Sequence, residues 1–327
     1  MKLTNLIEKN QSNLQHEAFV IDVLTGLSAL PKSISAKYFY DDIGSELFQK
    51  ISQHPDYYLT KTEYAIFEKI GNIIPKILNE PEIDIIELGV GDGHKSRLNI
   101  DGFLAKGCKV NFYPIDISDK AMQLLGENLT IDDSLNIHGV VADYFHGLNH
   151  LKEISDNKKL VLFLGSNIGN FTRAESQDFL AKLWLSLNDR DHVLIGFDLI
   201  KDPEILNKAY NDDDGLTKAF NLNLLNRINV ELGGNFNGSK FQHYGFYNPT
   251  KECMESYLVS LEDQYVHIST LEKTFHFEKF EAMHLESSHK YSPPEISHLA
   301  NNNSFNVEQN FSDEKHYFID ALWQVKK

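Results

Sequence analysis

The chain has 327 residues, of which 42% are hydrophobic, and this length suits about two globular domains of ordinary size. Its 47 acidic residues outnumber 31 lysines and arginines, so the formal net charge is −16. This negative charge repels nucleic-acid phosphates and anionic membrane surfaces, and we expect neither as a partner.

Cysteine usage and hydropathy predict a cytoplasmic protein. The two cysteines, Cys108 and Cys253, lack CxxC spacing, which argues against a disulfide framework and against a thiolate zinc site. No apolar run approaches the roughly 20 residues of a membrane helix, and the N-terminus lacks the apolar core of a signal peptide. We expect a monomer that binds no metal and acts on a small molecule.

Residues 1–61 precede the first predicted core strand. Their segment "PKSISAKYFYDDIGSELFQKI" has no place in a minimal α/β sheet, and we predict that 1–61 packs with the lobe described below. Thr60 and Glu63 fit a capping box, in which each side chain satisfies an amide of the first helical turn. This pattern predicts a helix that begins near residue 61.

Five hydrophobic runs then alternate with helix-like segments, which is typical of a parallel sheet covered by helices. The runs lie at 83–88, 110–116, 137–143, 159–165 and 192–199. A second capping box, Thr172 with Glu175, predicts a helix that begins near residue 173. We therefore predict a doubly wound α/β core over 62–199.

The stretch "IIELGVGDGHKSR" follows the first of these runs with Gly89, Gly91 and Gly93. A dinucleotide fingerprint needs a glycine where His94 stands, because that glycine allows close helix packing beside the pyrophosphate. An NAD-dependent dehydrogenase is therefore disfavoured. The pattern ExGxGxG resembles the first motif of Rossmann-like S-adenosylmethionine methyltransferases instead.

Two aspartates support a nucleoside-type cofactor. Asp116 ends the second run, where a carboxylate can accept hydrogen bonds from both ribose hydroxyls, and Asp143 ends the third. Ligands of doubly wound sheets lie beyond the carboxyl ends of the strands, so we expect both aspartates to converge there with Gly89 and Gly165. The alternative for either aspartate is a helix cap.

The alternation of strand-like and helix-like segments changes over 200–289, and we predict that this range forms a separate lobe. Asp202 and Pro203 open a helix, "GLTKAFNLNLLNRINVELGG" predicts a longer one that ends at glycine, and antiparallel strands follow. Beyond the lobe, Ser292, Pro293 and Glu295 mark another helix start. A terminal hairpin, "SFNVEQNF" with "HYFIDALWQV", then completes the core over 290–327.

Four long blocks closely resemble the histidine N-alpha-methyltransferases of ergothioneine biosynthesis, and the likeness runs from about residue 30 to the C-terminus. The blocks are residues 37–63, 163–175, 198–229 and 284–291. The resemblance implies an enzyme that transfers three methyl groups from S-adenosylmethionine to the alpha-amino group of L-histidine, which gives hercynine. It also implies a Rossmann-like class I methyltransferase sheet with an inserted α/β substrate-binding lobe.

Carried over residue by residue, the resemblance implies the site residues. Tyr40 is the catalytic candidate, expected near both cofactor and amine. The implied substrate residues are Tyr57, Asn170, Tyr210, Glu286 and Ser288. The implied cofactor residues are Tyr40, Gly89, Lys95, Asp116, Asp143 and Tyr144.

The chemistry of these residue types fits the implied roles. The family uses Asn170 and Tyr210 to hold the substrate carboxylate, and we expect them to do so without a full countercharge. Neutral imidazole presents one donor and one acceptor, so Glu286 with Ser288 can recognise both ring nitrogens. The faces of Tyr40 and Phe48 suit a growing trimethylammonium, and we expect the amine to lose its proton to water or through Tyr40.

Two positions depart from the pattern of the best-known histidine enzymes. Ser256 stands where they carry a methionine against the imidazole, and Asn167 stands where threonine is common. The same chemistry on another aromatic amino acid, such as a tryptophan derivative, therefore stays an alternative. A non-catalytic histidine-binding module is another.

Overall fold

The structure is a computed structural model that describes residues 2–7, 11–89, 93–118, 122, 125–126 and 134–327. Its strands are β1 Lys2–Asn5, β2 Glu82–Leu88, β3 Lys109–Asp116, β4 Leu135–Val141, β5 Lys159–Phe163, β6 His192–Asp198, β7 Phe241–Asn248, β8 Cys253–Ser260, β9 Gln264–Ile268, β10 Lys273–Phe277, β11 Ala282–His289, β12 Phe305–Ser312 and β13 Phe318–Val325. Its helices are α1 Gln11–Ser28, α2 Asp42–Gln53, α3 Tyr58–Ile70, α4 Ile74–Leu78, α5 His94–Ala105, α6 Tyr144–Ile154, α7 Arg173–Ser186, α8 Pro203–Ala209, α9 Leu216–Leu232 and α10 Pro293–Asn302.

The chain forms two compact units. The first unit consists of Met1–Ile7, Lys61–Ile200 and Tyr291–Lys327. The second unit consists of Glu8–Thr60 and Lys201–Lys290. No helix of the described ranges combines the length and the apolar character needed to cross a lipid bilayer.

An eight-stranded sheet organises the first unit, in the order β1-β4-β3-β2-β5-β6-β13-β12. The strands from β1 to β6 pair in parallel, whereas β13 runs antiparallel to both β6 and β12. The five predicted core strands and the terminal hairpin are confirmed. Ile83, Ile85 and Ile86 of β2 are fully buried, because helices cover both faces of such a sheet.

Strand order identifies where a ligand can enter this sheet. From β2 the chain proceeds to β3 and β4 on one side, and then returns to β5 and β6 on the other. The point of reversal therefore lies between the carboxyl ends of β2 and β5, where doubly wound sheets bind their ligands. Gly89 follows β2 and Gly165 follows β5 closely, so both glycines lie at this edge.

Of the two capping boxes predicted at Thr60 and Thr172, the one at Thr172 is confirmed and the one at Thr60 is wrong. Thr172 caps α7, since its hydroxyl accepts from the Glu175 amide at 3.2 Å and the Glu175 carboxylate accepts from the Thr172 amide at 2.8 Å. Helix α3 begins at Tyr58, so Thr60 lies inside it and does not cap it. Glu63 is 1% exposed and its carboxylate bonds to groups distant in sequence.

The N-terminal segment corrects the prediction for 1–61. Strand β1 pairs in parallel with β4, with Lys2 opposite His138 and Asn5 opposite Val141. The segment Met1–Ile7 therefore belongs to the first unit rather than to the lobe. Its four-residue strand carries only a weak alternation of apolar side chains, so the sequence alone did not mark it.

The second unit combines helices with two small sheets. One sheet has the order β11-β8-β7 and the other pairs β10 with β9, all antiparallel. Helix α9 ends at Gly233, whose φ of +65° suits the left-handed cap predicted for a glycine. The core between helices and sheets includes Phe19, Phe220, Leu224, Leu258 and Phe277.

Candidate active site

The carboxyl end of β2 exposes bare backbone at Gly89. This glycine has a φ of +77°, and a Cβ atom there would lie 2.9 Å from the hydroxyl oxygen of Tyr144. Both facts disfavour a side chain at this position, and a glycine lets a ligand approach the main chain more closely than any other residue does. Gly93 has a φ of +70°, whereas Gly91 of the same motif lies outside the described residues.

Tyr144 stands at the start of α6, beside this glycine. Burial, with the nearby carboxylates of Asp116 and Glu87, raises the pKa of the Tyr144 phenol. The phenol is therefore neutral, with a proton to donate. The structure thus brings Gly89, Asp116 and Tyr144 together at one edge of the first unit.

The two strand-end aspartates make different local bonds. Asp116 accepts from the Ser118 amide at 2.9 Å through Oδ1, which forms a tight turn after β3. Asp143 is the N-cap of α6, because its Oδ1 accepts from the amides of Phe145 at 3.2 Å and His146 at 3.0 Å. The helix-cap alternative is therefore realised at Asp143.

Lys95, in the first turn of α5, forms an ion pair with Glu63. The second carboxylate oxygen of Glu63 accepts from the Gly165 amide at 2.7 Å. Burial alone would lower the pKa of Lys95, but the charge and hydrogen bond of Glu63 outweigh burial and raise it. One carboxylate thus ties the helix after the glycine loop to the end of β5.

A second buried acid adjoins this ion pair. Asp320 of β13 is fully buried, and burial together with the negative charge of Glu63 raises its pKa well above the ordinary value. Asp320 pairs across the sheet with Gly196, where a Cβ atom would lie 2.7 Å from the Glu63 carboxylate. Only a glycine at position 196 leaves room for Glu63. Sequence reasoning missed this cluster of Glu63, Lys95 and Asp320.

The loop after β5 carries Asn167 and Asn170. It begins with Gly165 and Ser166 in left-handed conformation, at φ values of +72° and +57°. A left-handed serine is uncommon, and such backbone strain concentrates at functional loops. The Ser166 hydroxyl accepts from the Asp198 amide at 2.9 Å, which holds the turn. Asn170 ends the following short helix with an exposed side chain.

In the second unit, Tyr40 and Tyr57 belong to a group of aromatic rings. The Tyr40 ring lies 5.5 Å from Phe48 and 5.6 Å from Phe220, and Phe48 lies 6.1 Å from Tyr57. Tyr40 is 46% exposed, so one side of its ring can still receive a ligand. The residue after Tyr40, Asp41, caps α2 by accepting from the Gly44 amide at 2.7 Å.

Tyr210 ends helix α8 and is held through its backbone. Its carbonyl accepts from Nε2 of His243 at 3.1 Å, and Nδ1 of that ring contacts the Asn221 amide group at 2.8 Å. Burial lowers the pKa of His243, which favours this neutral ring. Gly245 has no Cβ atom, and this lets the adjacent turn approach β7 closely.

Strand β11 positions the predicted imidazole-binding pair. Glu286 and Ser288 are two residues apart and so share one face of the sheet, where their cross-strand partners are Ser256 and Met254. A register shift between His284 and Glu286 marks a β-bulge at this point, and bulges re-aim the side chains that follow. Loss of hydration on burial raises the pKa of Glu286 to about 7.

Lys290 continues the same alternation and is fully buried. Its ammonium donates to the hydroxyls of Tyr210 and Ser288, both at 3.0 Å, and the Tyr210 hydroxyl donates to Ser288 at 2.9 Å. A cation therefore stands directly beside Tyr210. That Asn170 and Tyr210 hold the substrate carboxylate stays a prediction, and Lys290 adds a positive charge that the prediction did not include.

A doubly wound sheet of this strand order, with an antiparallel hairpin at one edge and bare glycine backbone at the point of reversal, fits a Rossmann-like methyltransferase. A profile of the family described as "Histidine-specific methyltransferase, SAM-dependent" matches residues 19–325. The chain belongs to this family, and it therefore uses S-adenosylmethionine.

The chain is similar to named methyltransferases and to ergothioneine biosynthesis proteins. Histidine N-alpha-methyltransferase of Mycolicibacterium smegmatis is 34% identical over 86% of this chain and 86% of its own length. Ergothioneine biosynthesis protein 1 of Schizosaccharomyces pombe is 28% identical over 86% of this chain and 38% of its own. 4-Dimethylallyltryptophan N-methyltransferase of Claviceps purpurea is 26% identical over 62% of each chain.

Proposed function

We propose that the protein methylates the alpha-amino group of L-histidine three times to give hercynine, a step of ergothioneine biosynthesis. The observation that carries this proposal is the side-by-side placement of Glu286 and Ser288 on one face of β11. A carboxylate accepts the N–H of a neutral imidazole while a hydroxyl donates to its other nitrogen. An indole offers a donor only, so it satisfies half of this pair.

The first unit has features that fit S-adenosylmethionine, whose sulfonium supplies an electrophilic methyl group. Gly89 leaves the backbone bare, and a Cβ atom there would meet the Tyr144 hydroxyl. We propose that Asp116 binds the ribose hydroxyls, and that Lys95, Asp143 and Tyr144 complete the cofactor contacts. Each aspartate also accepts a backbone hydrogen bond: Asp116 stabilises a turn, and Asp143 stabilises the start of α6.

In the second unit, we assign Tyr57, Tyr210, Glu286 and Ser288 to the substrate, and the resemblance also implies Asn170 as a substrate residue. Tyr57 packs against the cluster that contains Tyr210 and Met254, which supports a role as a pocket wall. Holding the amino acid at both its carboxylate and its ring fixes the direction of the amine. Such orientation can contribute roughly 7 to 11 kcal/mol to catalysis.

Tyr40 is our candidate for the catalytic role. Its exposed ring stands beside Phe48 and Phe220, and aromatic faces attract a methylated ammonium by roughly 0.5 to 2 kcal/mol. We propose that its hydroxyl relays the proton that the amine loses. Tyr40→Phe should then slow turnover and alter its pH profile, whereas an unchanged rate and profile would exclude the relay.

The test of the activity is mass spectrometry of L-histidine incubated with the protein and S-adenosylmethionine. We expect three successive gains of one methyl mass on histidine and none on L-tryptophan. Methylation of tryptophan instead would favour the alternative substrate. Histidine binding without any methyl transfer would indicate a non-catalytic binding module.

A cytoplasmic location and a monomeric state also stay our proposals. Both cysteines, Cys108 and Cys253, are buried free thiols, which suits a reducing compartment. Sedimentation of the purified chain tests the monomer directly.

A further inference from the structure

Lys290 lies in a closed triangle of hydrogen bonds with two residues assigned above to the substrate. Its ammonium is 3.0 Å from the Tyr210 hydroxyl and 3.0 Å from the Ser288 hydroxyl, which are 2.9 Å from each other. All three side chains are less than 9% exposed. A lysine ammonium has three donors and no acceptor, so both hydroxyl oxygens must accept from it.

This arrangement fixes what Ser288 can offer to a ligand. A serine oxygen has two lone pairs, and here one accepts from Lys290 and the other from Tyr210. Its acceptor capacity is therefore used, and only the hydroxyl hydrogen remains. Ser288 thus presents a donor, while Glu286, two residues away on the same face, presents carboxylate acceptors.

We propose that Lys290 is the positioning residue that makes Ser288 an obligatory donor, and so selects a neutral ring that has one N–H and one unprotonated nitrogen. This inference rests on histidine being the substrate. A ring without an acceptor nitrogen would leave the Ser288 hydrogen buried and unsatisfied, and such a loss disfavours binding strongly. A doubly protonated imidazolium would direct a second N–H at this hydrogen.

The positive charge of Lys290 also favours recognition of a ring N–H by Glu286. Its positive charge opposes the effect of burial on Glu286 and so favours the carboxylate form that accepts the ring N–H. Lys290 also donates to the hydroxyl of Tyr210, so one cation fixes the hydrogen bonds of both Tyr210 and Ser288.

The test compares L-histidine with pyrrol-2-yl- and pyrrol-3-yl-L-alanine, each of which keeps one N–H and replaces the acceptor nitrogen by C–H. Calorimetric titration of the full chain should show a preference for histidine on the order of a hundredfold or more. In Lys290→Met the Ser288 oxygen regains a lone pair and its hydrogen can turn, so the preference should fall by about tenfold or more.

Lys32→Met is the matched control, because Lys32 is also a buried lysine of this unit but pairs with Glu281 at 2.5 Å. It should leave the preference unchanged. An unchanged preference in folded Lys290→Met, or an equal fall in Lys32→Met, would overturn the inference. Failure of the unsubstituted chain to bind histidine at all would instead overturn the proposed function.

A second measurement needs no substitution. Nitrogen-15 spectra of labelled L-histidine bound to the unsubstituted chain should show one protonated ring nitrogen and one that accepts a hydrogen bond. Two protonated ring nitrogens would refute the donor role of Ser288, even if Lys290→Met fails to fold.

Discussion

The ammonium of Lys95 and the carboxylate of Glu63 form a buried ion pair, although 32 residues separate them in sequence. Removing one partner of a buried pair leaves the other charge uncompensated, which costs about 3 to 5 kcal/mol. We therefore expect Glu63→Ala to lower the free energy of unfolding in urea by about this amount. Glu68→Ala on the exposed face of the same helix should change it by less than about 0.5 kcal/mol.

Asp320→Asn should make stability less dependent on pH. Because burial raises its pKa, native Asp320 holds a proton that the unfolded chain releases at lower pH. This contribution is fully present below the unfolded pKa and is lost as the pH rises through the folded pKa. Asparagine has no proton to lose. The free energy of unfolding of Asp320→Asn, relative to that of the unsubstituted chain, should therefore rise with pH by up to about 1.4 kcal/mol per unit above pH 5.

Urea unfolding between pH 5 and 8 measures that difference. The control is Asp101→Asn, which removes a carboxylate from the surface of the same unit. A constant offset for Asp320→Asn across this range would mean that Asp320 is already ionised in the folded protein.

Gly89→Ala should weaken S-adenosylmethionine binding and stability together. Gly107→Ala measures the cost of a left-handed backbone without any steric contact, since Gly107 has a φ of +80° and nothing lies within 4 Å of a Cβ atom there. We expect Gly107→Ala to cost about 1 to 2 kcal/mol and Gly89→Ala more, because of the added contact with Tyr144. The excess should shrink when Tyr144→Phe is added to Gly89→Ala, and thermal unfolding with titration of the cofactor measures both effects.

Asp143 tests whether capping and cofactor binding can be separated. Asp143→Ala should cost about 1 kcal/mol of stability through the lost cap, comparable with Thr172→Ala at α7. Serine also caps helices, so Asp143→Ser should restore stability but not the affinity for S-adenosylmethionine. Full affinity in Asp143→Ser would limit the role of Asp143 to the helix cap.

Local patterns were enough to predict the sheet. The run "IDIIEL" is buried on both faces, and this alone identifies a central parallel strand. Thr172 with Glu175 predicted the start of α7 because both members of a capping box lie within one helical turn. The short strand β1 was missed, since its pairing with β4 depends on a residue range more than 130 positions away.

The polar clusters could not be predicted for the same reason. Thr60 and Glu63 match a capping box by spacing, yet tertiary contacts draw Glu63 to Lys95 and Gly165 instead. Lys290 lies within a block that resembles the family, but its importance depends on Tyr210, which is 80 residues earlier. Sequence spacing carries no record of such long-range partners.

The β-bulge before Glu286 limits how this binding surface can be redesigned. His284 pairs with Tyr257 and Glu286 pairs with Ser256, so Leu285 is one residue in excess on β11. Deleting Leu285 would leave His284 and Glu286 opposite their present partners but would remove the bulge, and with it the local bend that directs the Glu286 side chain. An engineer who wants a new amino acid specificity can therefore replace Glu286, Ser288 or Ser256, but has to keep the length of the strand unchanged.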